Sequence, residues 1–106
     1  MANGNMAKMM KQLQKAQAEM SRVQEEISRQ TVESSSGGGA VRVVANGQKQ
    51  LVSLQIDPEA LGEDNKEMLE DMIVAAVNEA FNRVDEMVAA EMQKLTGGLN
   101  LPPGMF

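Results

Sequence analysis

The stretch that decides the fold is residues 64–95, which read DNKEMLEDMIVAAVNEAFNRVDEMVAAEMQKL. Asp64 and Glu67 have the spacing of a reciprocal helix cap, in which each side chain accepts a hydrogen bond from the other residue's free backbone N–H group. Gly97 and Gly98 follow the stretch and are typical of a helix end. We therefore predict one long helix over residues 64–95.

The apolar residues of this helix cover a wide arc. At about 100° per residue they fall within about 140°, and Met72 widens the arc to about 200°. A helix on the surface of a monomer needs an apolar stripe of only about 100°. We expect a sheet from the same chain and a second copy of the protein to cover the rest, which predicts a homodimer. The residues of the arc are Leu69, Ile73, Val77, Phe81, Val84, Met87, Val88 and Met92.

The composition indicates one small domain with few reactive groups. The chain has 106 residues, 42% of them hydrophobic but only 2% aromatic, which predicts a single aliphatic core. It has no Cys, His or Tyr, which leaves no disulfide, no thiolate metal site and no His-activated nucleophile. The sequence shows neither a signal peptide nor a membrane-length apolar run. We expect a cytoplasmic protein that is not an enzyme, with no cofactor, metal or small-molecule substrate.

The charge of the chain is unevenly distributed. The net charge of −5 argues against a nucleic-acid partner, because phosphate binding needs cations. However, residues 6–30 carry five bases and three acids, a net +2, whereas residues 57–95 carry three bases and eleven acids, a net −8. An anionic partner would therefore face the N-terminal part of the molecule.

Residues 6–29 also have a helical period. Their apolar members follow steps of four and three residues, which is the pattern of a coiled-coil seam. An amphipathic helix lying on its own sheet gives the same pattern, and both interpretations remain open. A helix of this length measures about 35 Å, so we expect part of it to project from so small a protein. The seam consists of Met9, Leu13, Ala16, Met20, Val23 and Ile27.

Five cations lie almost opposite this seam. Lys8, Lys15, Arg22 and Arg29 recur every seven residues, and Lys11 falls within the same arc of about 60°. Such a stripe is either an ordinary solvated face or a cationic surface that contacts phosphates along a projecting helix.

Three short segments between the helices predict an antiparallel meander. Thr31–Ser36 suits an edge strand, and residues 40–45 and Leu51–Ile56 are the best strands. Asn46 and Gly47 form a strong hairpin signal, with a loop that extends to Gln50. The last strand alternates apolar and polar residues, so one of its faces should be buried.

The predicted fold class is therefore α+β: a long N-terminal helix, a three-stranded antiparallel meander and a long second helix. Residues 6–95 form one helix–sheet–helix domain, preceded by flexible residues 1–5 and followed by a Gly/Pro-rich tail at residues 96–106. The second helix starts among acidic residues that complement its dipole and lack the spacing of a calcium loop, so we expect no metal there. These residues are Glu63, Asp64, Glu67, Glu70 and Asp71.

Several local strings, spread over nearly the whole chain, match one known family. They are MKQLQKAQ at residues 10–17, VRV with NG at residues 41–47, IDP at 56–58, EDNKEMLED at 63–71 and LPPGM at 101–105. With these strings the chain resembles the YbaB/EbfC family of bacterial nucleoid-associated DNA-binding proteins. The resemblance implies a tweezer-like homodimer whose projecting helices bind double-stranded DNA at the nucleoid and affect gene expression.

The resemblance implies no catalytic residue. Carried onto this chain, it implies DNA contacts by Lys8, Lys11, Lys15, Arg22 and Arg29. The composition supports a different alternative, a cytoplasmic protein–protein interaction adaptor that binds a partner through its Met-rich and acidic helical surfaces.

Overall fold

The computed structural model describes the backbone of residues 2–98 and the side chains of residues 4–95. Along the chain, a long helix precedes a three-stranded sheet and a second long helix follows it, as predicted. Residues 96–98 of the predicted tail belong to the second helix, and residues 99–106 lie outside the described residues. The helices are α1 (Ala2–Arg29) and α2 (Lys66–Gly98), and the strands are β1 (Thr31–Ser36), β2 (Val41–Asn46) and β3 (Leu51–Ile56).

The predicted boundaries of α2 are wrong at both ends. The helix begins at Lys66, because the preceding residues Glu63–Asn65 form a separate 3-10 turn. The N-cap of that turn is Gly62, so Asp64 lies inside the turn and is not the N-cap residue of the long helix. At the other end the helix includes Gly97 and Gly98, so these glycines do not stop it at Leu95.

Most of α1 lies away from the rest of the molecule. The helix begins at Ala2, four residues before the predicted start. Its described side chains from residue 4 to residue 19 are all exposed. Of all the described side chains of the helix, that of Ile27 alone is buried. The molecule is accordingly long and narrow, with extents of 79 × 24 × 15 Å. The expected projection of the first helix is confirmed.

The sheet is an antiparallel meander in the order β1-β2-β3, as predicted. In its register, Val43 of β2 lies between Ser34 of β1 and Leu54 of β3. One face of this sheet packs against α2. The buried core consists of Val41, Val43 and Ala45 from β2 and Ala76, Ala80 and Val84 from α2.

Two serines connect β1 to α2. The Ser34 hydroxyl donates to the backbone carbonyl of Ala76, and the Ser36 hydroxyl donates to that of Met72 at 2.6 Å. Both hydrogen bonds hold the helix over β1 and β2. Small alanines on the facing side of α2 let its backbone approach the sheet closely.

The outer strand β3 is not covered by any other described residue, so the expected burial of one of its faces is not seen in a single copy. Leu54 lies on the α2 side of the sheet because it is paired with Val43, yet 39% of it remains exposed. Val52 is 57% exposed. The reason is the position of α2, which lies over the other two strands.

The turn between β1 and β2 depends on its glycines. Gly37, Gly38 and Gly39 have φ angles of 61°, 67° and 97°, a region that residues with a Cβ atom rarely adopt. At Gly37 a Cβ atom would also collide with the sulfur of Met72 on α2. The predicted turn is thus formed by left-handed backbone and is packed directly against the second helix.

Candidate nucleic-acid interface

The base of α1 is held between the hairpin loop and α2. Gly47 lies against the backbone of Ile27, where a Cβ atom would overlap the carbonyl group, and its N–H donates to the carbonyl of Gln30 at 2.9 Å. On the other side, Ile27 shares a cleft with Val88 and Met92 of α2. These contacts fix the direction in which the rest of α1 leaves the body.

The five predicted cations lie on one face of this helix, and all five are exposed. At about 100° per residue their face is nearly opposite to the one that carries the buried Ile27. The face therefore points away from the contacts that anchor the helix. The structure brings together the residues Lys8, Lys11, Lys15, Arg22 and Arg29 as a single outward stripe.

The two arginines of the stripe are already paired with acids. The Arg22 guanidinium donates to the carboxylates of Glu19 and, at 2.7 Å, of Glu26. The hydrogen bond from Arg22 to Glu19 and the negative charges of Glu19 and Glu26 raise the pKa of Arg22, which keeps it protonated. Arg29 pairs with Glu25 at 3.3 Å. We call Arg22 and Arg29 the paired arginine segment.

The three lysines differ from the arginines in having no such partner. Within the described part of the chain, Lys8, Lys11 and Lys15 make neither an ion pair nor a side-chain hydrogen bond. We call them the free lysine segment. The sequence spacing places all five cations together, and it gives Lys8 and Lys11 no acid three or four residues away. Only Lys15 depends on a neighbour's rotamer, because Glu19 is within its reach but pairs with Arg22.

The apolar seam of α1 is divided in the same way. Ile27 is buried and Met20 and Val23 are partly buried, so the inner end lies against the body as an amphipathic helix would. No described residue covers the outer end. Its large apolar residues Met6, Met9, Met10 and Leu13 are each between 58% and 62% exposed, and the predicted seam did not include Met6 or Met10. We call these four residues the distal seam.

A second apolar surface follows the uncovered strand. Leu51, Val52 and Leu54 of β3 are exposed, and so is Val74 on α2. Val74 and Phe81 are seven residues apart and lie on the same flank of α2. This flank faces the β3 side of the sheet, because the Nζ atom of Lys49, just before β3, lies 5.8 Å from the centroid of the Phe81 ring. We call Leu51, Val52, Leu54 and Val74 the β3 patch.

One further cation was not among the predicted site residues. Arg42 is exposed on the sheet face opposite to α2, where the register places it between Ser35 and Gln55. The strict alternation of β2 could have placed it on this face from the sequence. It lies on the body, away from the stripe on α1.

The described residues contain no other evident site. Among them, no group of three or more acidic side chains converges to hold a metal ion. None of their helices is long and apolar enough to cross a membrane. The fold and the stripe define a small α+β protein that presents cations on a projecting helix.

The sequence identifies the family of this α+β protein. It matches the model of the YbaB/EbfC DNA-binding family over residues 2–99, and the chain belongs to that family. It is 57% identical to a nucleoid-associated protein of Pelotomaculum thermopropionicum over 106 residues, which cover both chains completely. It is 54% identical to a nucleoid-associated protein of Acetivibrio thermocellus over 103 residues, 97% of this chain and 91% of the relative.

A solved structure has the same fold. The uncharacterized protein HP0035 from Helicobacter pylori matches with a TM-score of 0.69 and 30% identity, over 82% of this chain and 91% of that chain. The family is one of DNA-binding proteins and not a family of enzymes. These comparisons favour DNA binding and give no support to the alternative of a protein–protein interaction adaptor.

Proposed function

We propose that the protein is a dimeric, double-stranded-DNA-binding protein of the nucleoid that contacts phosphates through the outward stripe of α1. The observation that carries the proposal is the stripe itself, five exposed cations on one face of a helix that projects from the body. Cations that neutralise phosphates release condensed counterions, which supplies most of the sequence-independent affinity for DNA.

The free lysine segment makes the main contacts in this proposal. Lys8, Lys11 and Lys15 carry their charges without compensation by described residues, so a phosphate meets an uncompensated cation. Arg22 is flanked by two carboxylates, and to reach a phosphate it must exchange them or share its donors. We therefore assign Arg22 and Arg29 smaller contributions than the lysines.

A homodimer is supported by the β3 patch. Val52, on the uncovered strand β3, is 57% exposed, and Val74, on the flank of α2 that faces the β3 side, is 58% exposed. A contiguous apolar surface beside a core is typical of a site for another protein. A second copy covering this patch would present two cationic helices to one duplex.

The acidic part of the molecule orients the complex. Residues 57–95 carry a net charge of −8, and most of these acids are on α2. Repulsion from the phosphates disfavours any approach of DNA along that helix. The duplex therefore meets the molecule from the side of α1.

The stripe consists of cationic side chains that would contact phosphates. We therefore expect recognition of the DNA backbone and of DNA shape more than of a strict base sequence. Effects on gene expression would then follow from local organisation of the nucleoid. They would not require a specific operator.

The proposal is tested by changing Lys8, Lys11 and Lys15 together to Ala and titrating a duplex at several salt concentrations. The logarithmic salt dependence should become less steep by about 0.9 for each phosphate that is no longer neutralised, so by about 5 for a dimer in which six lysines are replaced. Affinity at low salt should fall by at least about 100-fold, as expected when several cations stop contacting phosphates.

A matched control changes Lys49, Lys66 and Lys94 to Ala, which alters the net charge equally but away from α1. Its salt dependence should stay close to that of the wild type. An equal decrease in both variants would mean that overall charge, and not the stripe, governs binding. A wild-type protein that shifts no duplex even at low salt would contradict the proposed function and favour the adaptor.

A further inference from the structure

No described residue of the body packs against the distal seam. Leu13 is 61% exposed and is fourteen residues before Ile27, so it lies about 21 Å along the helix from the point where α1 is anchored. Met9 and Met6 lie farther out, and both are exposed to the same degree. No described residue of the body covers these side chains. Exposed apolar clusters of this kind mark interaction sites.

The spacing of the seam indicates the kind of surface that fits it. Met6, Met9, Leu13, Ala16 and Met20 follow one another at steps of 3, 4, 3 and 4 residues. A seam of period 3.5 packs against a second helix with the same period, because each side chain then enters a gap between four residues of its partner. The outer half of α1 in another copy of this chain has that period.

The residues beside the seam permit such pairing. The positions that flank a coiled-coil seam commonly carry charges that select or reject a partner. In the outer half of α1 these positions hold Asn5, Met10, Gln12 and Gln17, none of which is charged. The next flanking position inward is Glu19, whose charge is paired with Arg22 of the same helix. Two identical helices can therefore meet here without repulsion between like charges.

The cations lie as far from the seam as the helix allows. Lys11 is at the outermost heptad position, and Lys8 and Lys15 are at outward positions beside it. When two such helices pack seam to seam, their lysines point in opposite directions. The pair then has two cationic outer faces, and each face is free to contact a different duplex.

We propose that the distal seams of α1 from two different dimers pack against each other, so that the paired helices bridge two DNA duplexes. The inference rests on the proposed DNA-binding function. The seam and the β3 patch are separate surfaces, so a copy that binds at the patch leaves the seam for another dimer. Two heptads pair weakly in free solution, and co-binding on DNA favours pairing by raising the local concentration.

The first test measures bridging directly. The protein is bound to an immobilised duplex, and the amount of a second, labelled duplex that it captures is measured at a fixed salt concentration. The seam variant Met9→Gln with Leu13→Gln changes no charge and keeps good helix formers. It should lose at least about tenfold in capture, while its affinity for a single duplex stays within about twofold, because the lysines that supply that affinity are unchanged.

A matched control places Gln at Ala7 and Ala18, which lie on the outer side of the same helix. This control should capture the second duplex as the wild type does. Equal capture by the seam variant, or an equal decrease in the control, would overturn the inference. Binding of single duplexes without any bridging would overturn the inference alone, whereas absence of all duplex binding would contradict the proposed function itself.

A second test locates the contact. The chain has no Cys, so Leu13→Cys introduces a single thiol on the seam, and Ala18→Cys introduces one on the outer side. On DNA under mild oxidation, the first variant should form a disulfide between copies and the second should not. Native mass measurement should then find four chains joined through two dimers.

Two results of this test would overturn the bridging model. A linked species of only two chains would mean that the helices of one dimer pair with each other. Cross-linking that occurs only after removal of residues 99–106 would mean that the end of the chain itself occupies the seam.

Discussion

The two long helices of this chain, α1 and α2, differ in how much of their surface is buried against the rest of the protein. α2 has 33 residues and buries Ala76, Ala80 and Val84 against the sheet. α1 has 28 residues, and of its described side chains only Ile27 is buried. Length alone therefore does not indicate a core helix. The same chain uses one helix to build its body and leaves the other available for a partner.

The difference has an energetic consequence. Burial against the sheet stabilises α2, since each buried methylene group contributes about 0.8 kcal/mol. Most of α1 depends on intrinsic helix propensity and on local pairs such as Arg22 with Glu19 and Glu26. Pairs of that kind contribute only about 0.2–0.5 kcal/mol each. We expect α1 to open and close its outer turns independently of the body.

The largest expected effect compares apolar truncations in the two regions. Val43→Ala removes two methyl groups from a fully buried position in β2 and leaves a cavity, which should lower the free energy of unfolding by about 2 kcal/mol. Leu13→Ala removes a larger side chain from the exposed seam and should change it by less than about 0.5 kcal/mol. Urea denaturation of both variants at low protein concentration checks the comparison. Equal destabilisation would mean that the outer half of α1 is part of the folding unit.

The body could be predicted from the sequence because its patterns are local. The three strands and their hairpin follow from alternation, Asn46 and Gly47, and β1 and β3 have the predicted bounds. Helix ends were less predictable, because Gly97 and Gly98 are compatible with both a helix end and a continued helix. The spacing of Asp64 and Glu67 predicts a helix cap, but Asp64 lies inside a separate 3-10 turn whose N-cap is Gly62.

The sequence also does not predict which element covers β3, and the reason is different. Alternation in β3 shows that one face is apolar, but not whether the covering element belongs to the same chain. The position of α2 over β1 and β2 decides this, and it depends on tertiary contacts such as that between Ser34 and Ala76.

The position of the cationic stripe on α1 could be predicted from the sequence, and so could most of its division into paired and unpaired cations. Heptad recurrence places the five cations on one face, and the structure has them there. The partners of Arg22 and Arg29 also lie within one helical turn and could be expected from spacing of three and four residues. The absence of acids before Glu19 likewise leaves Lys8 and Lys11 without a partner. What the sequence does not reveal is whether Glu19 pairs with Lys15 or with Arg22.

The next largest expected effect concerns the difference between the paired arginine segment and the free lysine segment of α1. Glu19→Gln with Glu26→Gln removes both partners of Arg22, so that its charge becomes available to a phosphate. One added contact and less repulsion should raise the affinity for a duplex by about tenfold at low salt, and the salt dependence should steepen by about 0.9 per protomer. Fluorescence anisotropy with a labelled duplex measures both quantities.

The control for this variant is Glu67→Gln with Glu70→Gln, which changes the charge equally on α2. A rise of the same size in that control would show that the effect comes from net charge and not from Arg22. No rise in either variant would show that Arg22 does not reach the DNA, and would limit the interface to the free lysine segment.

The smallest expected effect tests whether the outer turns of α1 are independent of the body. Gly4 is in the helix with nothing within 4 Å of the position that a Cβ atom would take, so Gly4→Ala adds no clash. Alanine favours a helix over glycine by about 0.8–1 kcal/mol. If the outer turns open separately, this gain should slow amide hydrogen exchange at residues 6–8, whose N–H groups bond the carbonyls of residues 2–4, by about fourfold to fivefold. The midpoint of global unfolding should stay unchanged. A shift of the global midpoint with no local slowing would show that α1 unfolds together with the body, and that the two helices differ in burial but not in cooperativity.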